Sequence, residues 1–226
     1  MTHPHHLHAT AAALSLGAAR GRLATLATEE AAQIAAEALE VPSVLRSTVY
    51  GGRHASGGHS DPTVGILAVA DRPQRRNRWA EMAQRLDGKL RWLADQIPGP
   101  AMTDPSWDPL DRLILTVPFL QPGTARDVTR HLLDEETWVR EAIRRPRPTE
   151  LLPGVACPHC GERQLMVQTA GPVDAWTVVC ATGRLCTGQG CGCGMPGAVE
   201  GVAHIWWRKD VIGAVAGAAP TTDRKD

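Results

Sequence analysis

Apolar residues recur at helical spacing through most of the first two thirds of the chain. The strongest stripe has members three and four residues apart: Trp79, Met82, Leu86, Leu90, Leu93 and Ile97. This spacing places them on one face and predicts an amphipathic helix that packs against a core. The alanine-rich stretch 9–39 predicts one or two helices, broken around Gly17 to Gly21, with Thr28 capping the second.

Two further stretches extend the helical pattern. Residues 110–120 are too apolar for a surface loop, and Pro118 ends that run. Thr124 is a plausible cap for a last helix, whose apolar side would carry Val128, Leu132, Val139 and Ile143. Prolines at 146 and 148 end it. The pattern therefore predicts a helical domain over residues 9–148.

The pattern changes after residue 148. Short runs at 163–170 and 175–179 are joined by Gly171-Pro172, which predicts a hairpin, and 204–207 could add a third strand. We assign a small β domain to residues 149–209. The ends of the chain lack periodicity, so we predict a disordered His-rich tail over 1–8 and a disordered tail over 210–226.

All six cysteines lie between positions 157 and 193. Cys157-Pro-His-Cys160-Gly161 has the form of a zinc knuckle, in which a tight turn presents two thiolates. The returning strand of the hairpin would bring Cys180 to the same end. The fold class is therefore a mainly α N-terminal domain followed by a small β zinc ribbon, with Zn2+ as the cofactor.

The fourth zinc ligand is open at this point. We predict Cys186, although five residues separate it from Cys180, more than the two to four usual in a knuckle. Cys191, Cys193 and His204 remain alternatives for that position, or members of a second site that His204 or His159 would complete. Disulfides and a redox dithiol are the competing interpretations. A reducing compartment disfavours disulfides, and a knuckle that opens a hairpin disfavours a redox site, which normally lies at the start of a helix.

The sequence offers little support for catalysis. It has no H-E-x-x-H pair, no deaminase signature, and enough cysteine to saturate a metal with thiolates. We therefore predict that the protein is not an enzyme and has no small-molecule substrate. No apolar run approaches the roughly 20 residues that span a bilayer, so we expect a cytoplasmic protein that does not enter membranes.

Charge is balanced, with 24 Lys and Arg against 24 Asp and Glu. Two arginine clusters at predicted helix ends could contact phosphate or an acidic partner, or could simply be solvated: Arg72, Arg75, Arg76, Arg78, Arg140, Arg144, Arg145 and Arg147. The glycine-rich segment 51–60 before Asp61-Pro62 matches no nucleotide-binding fingerprint, which favours an ordinary loop.

Several of these residues together carry a family resemblance: Leu152 and Pro153, Cys157 to Gly161, Trp176, Val178, Cys180, Cys191, Cys193, and His204 to Trp206. With them the C-terminal third resembles small zinc-ribbon proteins encoded by actinobacterial phages and prophages. Members of that group generally have no established activity, so the resemblance implies a zinc-binding class and a phage or prophage source.

The expected function is that of a zinc-binding, non-catalytic binding protein, which contacts DNA or a transcription or packaging component. The alternative is a structural or adaptor protein of the phage particle or its assembly, with a purely structural zinc. In the first case the partner is a nucleic acid or a protein of the host cytoplasm; in the second the protein could also lie in the virion.

Overall fold

A computed structural model describes residues 3–40, 75–97, 106–195 and 197–217. The glycine-rich segment 51–60 and Arg72 lie outside these ranges. The described residues fall into two compact units. One contains the described chain up to Arg22 and from Arg85 onward, and the other contains the described residues between Leu23 and Gln84. Within the described ranges, no helix has the length and apolar character needed to cross a membrane.

Helices dominate the chain before residue 144, and a small sheet follows. The helices are α1 (Pro4–Glu40), α2 (Arg78–Gln96), α3 (Pro109–Thr116), α4 (Pro122–Ile143) and α5 (Arg208–Gly217), with 3-10 turns at Val117–Phe119 and Val173–Ala175. The strands are β1 (Thr149–Leu152), β2 (Leu165–Gln168), β3 (Thr177–Cys180) and β4 (Ile205–Trp207). The predicted fold class, a helical region followed by a small β domain, is confirmed.

Helix α1 is continuous, so the predicted break around Gly17 to Gly21 is wrong. A glycine costs a helix interior only about 1 kcal/mol, which packing readily offsets. A Cβ at Gly17 would lie 3.2 Å from a methyl group of Leu110, so the missing side chain lets α3 approach closely. Thr28 also lies inside the helix, where its hydroxyl donates to the carbonyl of Ala24 and caps nothing.

The predicted disordered tail over 1–8 needs correction, because α1 begins at Pro4. Leu7 is buried, and the same apolar cluster contains Ala11 and residues of the sheet domain. The His6 and His8 rings lie 2.8 and 2.9 Å from the carbonyls of Leu120 and Ala203. The first turns of α1 therefore belong to the same compact unit as the sheet, and 148/149 does not separate two units.

The remaining helical predictions hold in outline. Leu86, Leu90, Leu93 and Ile97 are buried, as the α2 stripe predicts. Residues 110–120 form α3 and a 3-10 turn, and Asp108 caps α3 by accepting from the Leu110 amide at 2.9 Å.

Helix α4 begins earlier than predicted. Gln121 is its N-cap and Pro122 occupies the first turn, so Thr124 is not the cap. The helix ends at Ile143, and its C-cap Arg144 adopts the left-handed conformation with φ 52°.

The four strands form an antiparallel sheet in the order β1-β2-β3-β4. Strand β1, which the sequence pattern did not predict, pairs Thr149 with Gln168 and Leu152 with Leu165. Its side chains are mostly exposed, and an edge strand of this kind has no alternating apolar signal. In the β2–β3 pair, Leu165 faces Cys180, which brings the end of β3 beside the start of β2.

The predicted disordered tail over 210–226 is wrong for its first eight residues. Residues 210–217 belong to α5, and Val211 is buried against the sheet domain. Residues 218–226 lie outside the described ranges. The burial of Val211 shows that this segment packs against the sheet domain, although its alanine and glycine content suggested disorder.

Candidate metal centres

The first candidate centre consists of Cys157, Cys160 and Cys180. A tight turn forms the knuckle: the Gly161 amide donates to the Cys157 carbonyl at 2.9 Å, and the Cys157 amide donates to the Glu162 carbonyl at 2.8 Å. Gly161 has a φ of 74°, which explains the glycine after the second cysteine. β3 supplies Cys180, as the hairpin pattern predicts.

The three sulfur atoms of this centre lie within 4.8 Å of one another. The Sγ atoms of Cys160 and Cys180 are 3.8 Å apart. Around a tetrahedral zinc with Zn–S bonds of about 2.3 Å, two sulfurs are about 3.8 Å apart, so this pair already has the required spacing. Cys157 is buried, while Cys160 and Cys180 are half-buried.

The second candidate centre consists of Cys186, Cys191, Cys193 and His204, whose ligand atoms also lie within 4.8 Å of one another. A folded loop brings the cysteines together. The Cys186 amide donates to the Val202 carbonyl at 2.8 Å, and the Cys191 amide donates to the Gly188 carbonyl at 3.1 Å. Strand β4 follows directly after His204 and fixes its position.

His204 is prepared to bind a metal through Nε2. Its Nδ1 lies 3.0 Å from the carbonyl of Arg184, which can only accept, so Nδ1 carries the proton. Nε2 then has a free lone pair and lies 3.4 Å from the Cys191 sulfur. A carbonyl that orients the far nitrogen of a ligand histidine is common at zinc sites. Two residues further along, the Trp206 indole donates to the Cys193 carbonyl at 3.0 Å and supports the loop.

The thiols of the two centres differ in acidity. In the second centre, a hydrogen bond from the Thr187 backbone lowers the pKa of Cys191 to about 5, while burial raises the pKa of Cys193 to about 11. In the first centre, burial raises the pKa of Cys157 to about 11, and a backbone hydrogen bond from Glu162 lowers the pKa of Cys160. Each centre thus pairs a thiol of lowered pKa with a thiol of raised pKa, and a bound metal would require both to lose their protons.

The partition of the cysteines differs from the predicted ligand set. Cys186 does not join Cys157, Cys160 and Cys180 but lies with the two cysteines that follow it. The five-residue separation from Cys180 was the signal for this arrangement, since knuckle ligands are usually two to four apart. Cys191, Cys193 and His204, which we considered as members of a second site, form that group.

His159 lies beside the second centre although the knuckle of the first centre carries it. Its Nδ1 is 3.2 Å from the Cys191 sulfur, and its ring stacks on the His204 ring with centroids 4.1 Å apart. Sequence reasoning named His159 only as a possible ligand. Its place in a C-x-H-C knuckle gave no indication that it contacts both a thiol and a ring of the other centre.

Three described arginines of the first arginine cluster lie among acidic or aromatic groups. Arg75 pairs with Glu37 at 2.6 Å and Glu30 at 3.6 Å. Arg76 lies 4.0 Å from Glu81, and the Arg78 guanidinium stacks over the Trp79 ring at 4.2 Å. Their charge is therefore partly compensated within the protein.

The second arginine cluster divides in two. Arg140 and Arg147 pair with the buried Glu136 at 2.5 and 3.0 Å. Arg140 also donates to the carbonyl of Ser15 at 2.9 Å. Arg144 and Arg145 are exposed. The predicted phosphate-contacting set is thus not one uniform surface, because two of its members hold a buried carboxylate.

The donor atoms of both groups are of the kind that binds metal ions. Thiolate and imidazole ligands in groups of three or four are those of zinc sites, and the 3.8 Å sulfur spacing and the oriented His204 suit a tetrahedral ion. The two groups could therefore hold metal ions. No family model matches the chain, and no curated protein and no solved structure matches it either.

Proposed function

We propose that this protein binds two zinc ions and is a non-catalytic binding protein whose β domain depends on those ions. The observation that carries the proposal is the second centre, in which three cysteines and one histidine bring their ligand atoms within 4.8 Å of one another. Three thiolates and one imidazole are a closed structural set for tetrahedral zinc.

The shortness of the strands supports a structural role for zinc. The four strands have only three or four residues each. Strands of this length bury little apolar surface of their own, and metal binding adds folding free energy directly. Buried members of both centres, Cys157, Cys186 and Cys193, lie in the apolar cluster of this domain. Metal binding and core packing therefore stabilise the same group of side chains.

The donor chemistry favours binding over catalysis. Hydrolytic zinc sites commonly use histidine and carboxylate ligands and activate a water molecule. Here the first centre is built of sulfur alone, and the second has four protein ligands.

The metal stoichiometry is tested by native mass spectrometry of the reduced full-length protein. We expect two zinc ions per chain. Cys191→Ser should lose one ion, whereas Gln189→Ala, at an exposed position of the same loop, should keep both. A wild-type chain that binds no zinc under any reducing condition would overturn the proposal.

We infer that the partner is a protein, such as a transcription or packaging component or a structural element of a phage particle. From residue 151 to the end there are six Lys or Arg and six Asp or Glu, and six thiolates with two Zn2+ would lower the net charge by two. Exposed apolar side chains on this part of the chain include Leu151, Val173 and Leu185. Such a surface suits protein contact better than phosphate binding.

DNA is the second candidate, because Arg144 and Arg145 are exposed after the end of α4. A binding titration against duplex DNA at two salt concentrations separates the two candidates, since phosphate contacts weaken steeply with salt. We expect no salt-dependent binding to duplex DNA. Tight binding that falls by orders of magnitude with salt and is lost in the double variant Arg144→Gln, Arg145→Gln would assign the partner to nucleic acid.

A further inference from the structure

We propose that the first centre holds its zinc through three cysteines and takes an exogenous thiolate as its fourth ligand. This inference rests on the proposed zinc binding and adds an exchangeable position to one of the two centres. Within the described residues, the two centres differ in ligand number: the second has four protein ligands, and the first has Cys157, Cys160 and Cys180.

Of the residues that the structure describes around the first centre, none supplies a fourth strong ligand. His159, the one histidine of the knuckle, lies against Cys191 and His204 of the second centre. The Thr182 hydroxyl lies 3.0 Å from the Cys180 sulfur, where it can donate a hydrogen bond. A neutral hydroxyl is not among the usual ligands of protein zinc, so three sulfurs leave one tetrahedral position for another donor.

A small molecule can reach the first centre. Cys160 and Cys180 are half-buried, whereas Cys186 and Cys193 of the second centre are buried. Gly161 directly follows Cys160, and Gly183 directly follows Thr182. A Cβ built on either would meet no atom within 4 Å. Two of the three cysteines are therefore partly accessible, and the glycines next to Cys160 and Thr182 add no side chain there.

The chemistry of the centre selects a thiol as the ligand. A fourth sulfur would complete a set of four thiolates, which is one of the usual ligand sets of structural zinc. Four Zn–S bonds of about 2.3 Å in a tetrahedron place the sulfurs about 3.8 Å apart, which is the separation of the Cys160 and Cys180 sulfurs. A thiol coordinates as the thiolate, so its proton passes to solvent on binding. No oxidation is involved, and the ligand leaves again when it takes up a proton.

The test is native mass spectrometry of the full-length zinc protein, reduced with a phosphine and titrated with 2-mercaptoethanol. We expect one thiol adduct per chain that carries two zinc ions. The same sample under denaturing conditions should show no adduct, because a coordinated thiol dissociates whereas a mixed disulfide would survive.

Thr182→Cys is the matched variant. Its sulfur would occupy the region of the Thr182 hydroxyl, next to Cys180, and would complete the centre from within the chain. We expect this variant to hold both zinc ions and to lose the thiol adduct, while Thr182→Ser keeps it.

The outcomes separate the inference from the function on which it rests. Two zinc ions with no adduct at saturating thiol, or an adduct of equal strength in Thr182→Cys, would overturn the inference. A chain that holds only the zinc of the second centre would also overturn it and leave metal binding intact. A chain without zinc would overturn both.

Discussion

At the scale of single residues, His159 connects the two centres. It belongs to the knuckle of the first centre, yet its Nδ1 lies 3.2 Å from Cys191 and its ring stacks on His204. A thiolate can only accept, so Nδ1 must be the donor when Cys191 is ionised. His159 therefore orients one ligand of the second centre and covers another without itself completing that centre.

The first prediction separates these two contacts. His159→Phe keeps a ring against His204 but removes the hydrogen bond to Cys191. We expect the zinc affinity of the second centre to fall by about tenfold to a hundredfold, the usual effect of losing a partner that hydrogen-bonds a metal ligand. Competition with a chelator, followed by native mass spectrometry, measures this change.

The first centre provides the internal control for that variant. Cys157, Cys160 and Cys180 do not depend on the His159 ring, so one zinc per chain should resist the chelator as it does in the wild type. Equal loss of both ions would show that the substitution disrupts the knuckle as a whole.

The sequence predicted that the cysteines bind metal but not how they divide between two centres. Knuckle spacing identified Cys157 and Cys160, and the hairpin pattern added Cys180. The placement of Cys186 depends on hydrogen bonds across the loop, such as that between its amide and the Val202 carbonyl. The number of residues in a glycine-rich loop limits how far apart two ligands can lie, but it does not determine which way the loop folds. The sequence could therefore name His204 only as an alternative ligand.

At the scale of elements, a buried carboxylate joins α1, α4 and the segment before β1. Glu136 is fully buried and pairs with Arg140 and Arg147, and the Ser15 hydroxyl of α1 donates to it. Removing one partner of a buried ion pair leaves an uncompensated charge, which commonly costs about 3–5 kcal/mol.

The second prediction follows from that network. Glu136→Ala should lower the free energy of unfolding by about 3 kcal/mol, because Arg140 is only 10% exposed and would lose its main counter-charge. Glu141→Ala, at an exposed position of the same helix, should change it by less than about 0.5 kcal/mol. Urea denaturation of the zinc-loaded variants gives both values, and similar values for the two would contradict a stabilising role for the network.

The third prediction concerns the contact between α1 and the turn after β2. Gly171 has a φ of 79°, and a Cβ there would lie 2.8 Å from a methyl carbon of Leu14 in α1. Gly154 has a similar φ of 77° but has nothing within 4 Å of such an atom. Both substitutions to alanine carry the strain of positive φ, which is on the order of 1 kcal/mol.

Only Gly171→Ala also forces Leu14 to move. We expect the unfolding free energy of Gly171→Ala to be lower than that of Gly154→Ala by about 1 kcal/mol. This is the low end of the usual cost of overpacking, because the far end of the Leu14 side chain can shift. Thermal unfolding of the two zinc-loaded variants measures the difference. Equal melting temperatures would mean that α1 does not pack closely on this turn in solution.

Sequence periodicity identified the elements with continuous apolar stripes and missed those without one. Leu86, Leu90 and Leu93 repeat along α2, and their burial follows directly from that spacing. Strand β1 exposes most of its side chains, and Val211 is buried among the side chains of 208–213 that the structure describes in α5, so neither element has a periodic signal. The prediction of a break in α1 overestimated the cost of placing Gly17 inside a helix. The missing side chain of Gly17 allows close contact with Leu110.

At the scale of the whole molecule, the first turns of α1 belong to the β domain. Leu7 and Ala11 lie in one buried cluster with Cys157 and Cys186, and His8 contacts the carbonyl of Ala203. Sequence reasoning placed these residues in a tail or a separate domain because the contact joins positions almost 200 residues apart. A local pattern does not contain such a pairing.

We expect this shared core to make the stability of α1 depend on the proposed zinc ions. If a chelator removes both ions, Cys157 and Cys186 lose the bonds that hold them in the cluster, and Leu7 and Ala11 lose their packing partners. We expect hydrogen exchange in peptides covering 4–16 to accelerate together with exchange in 157–207, while peptides from α4 around Leu132 change less. Re-addition of Zn2+ should restore both. Faster exchange in 157–207 alone, with 4–16 as protected as before, would show that the helical part is independent of the metal domain.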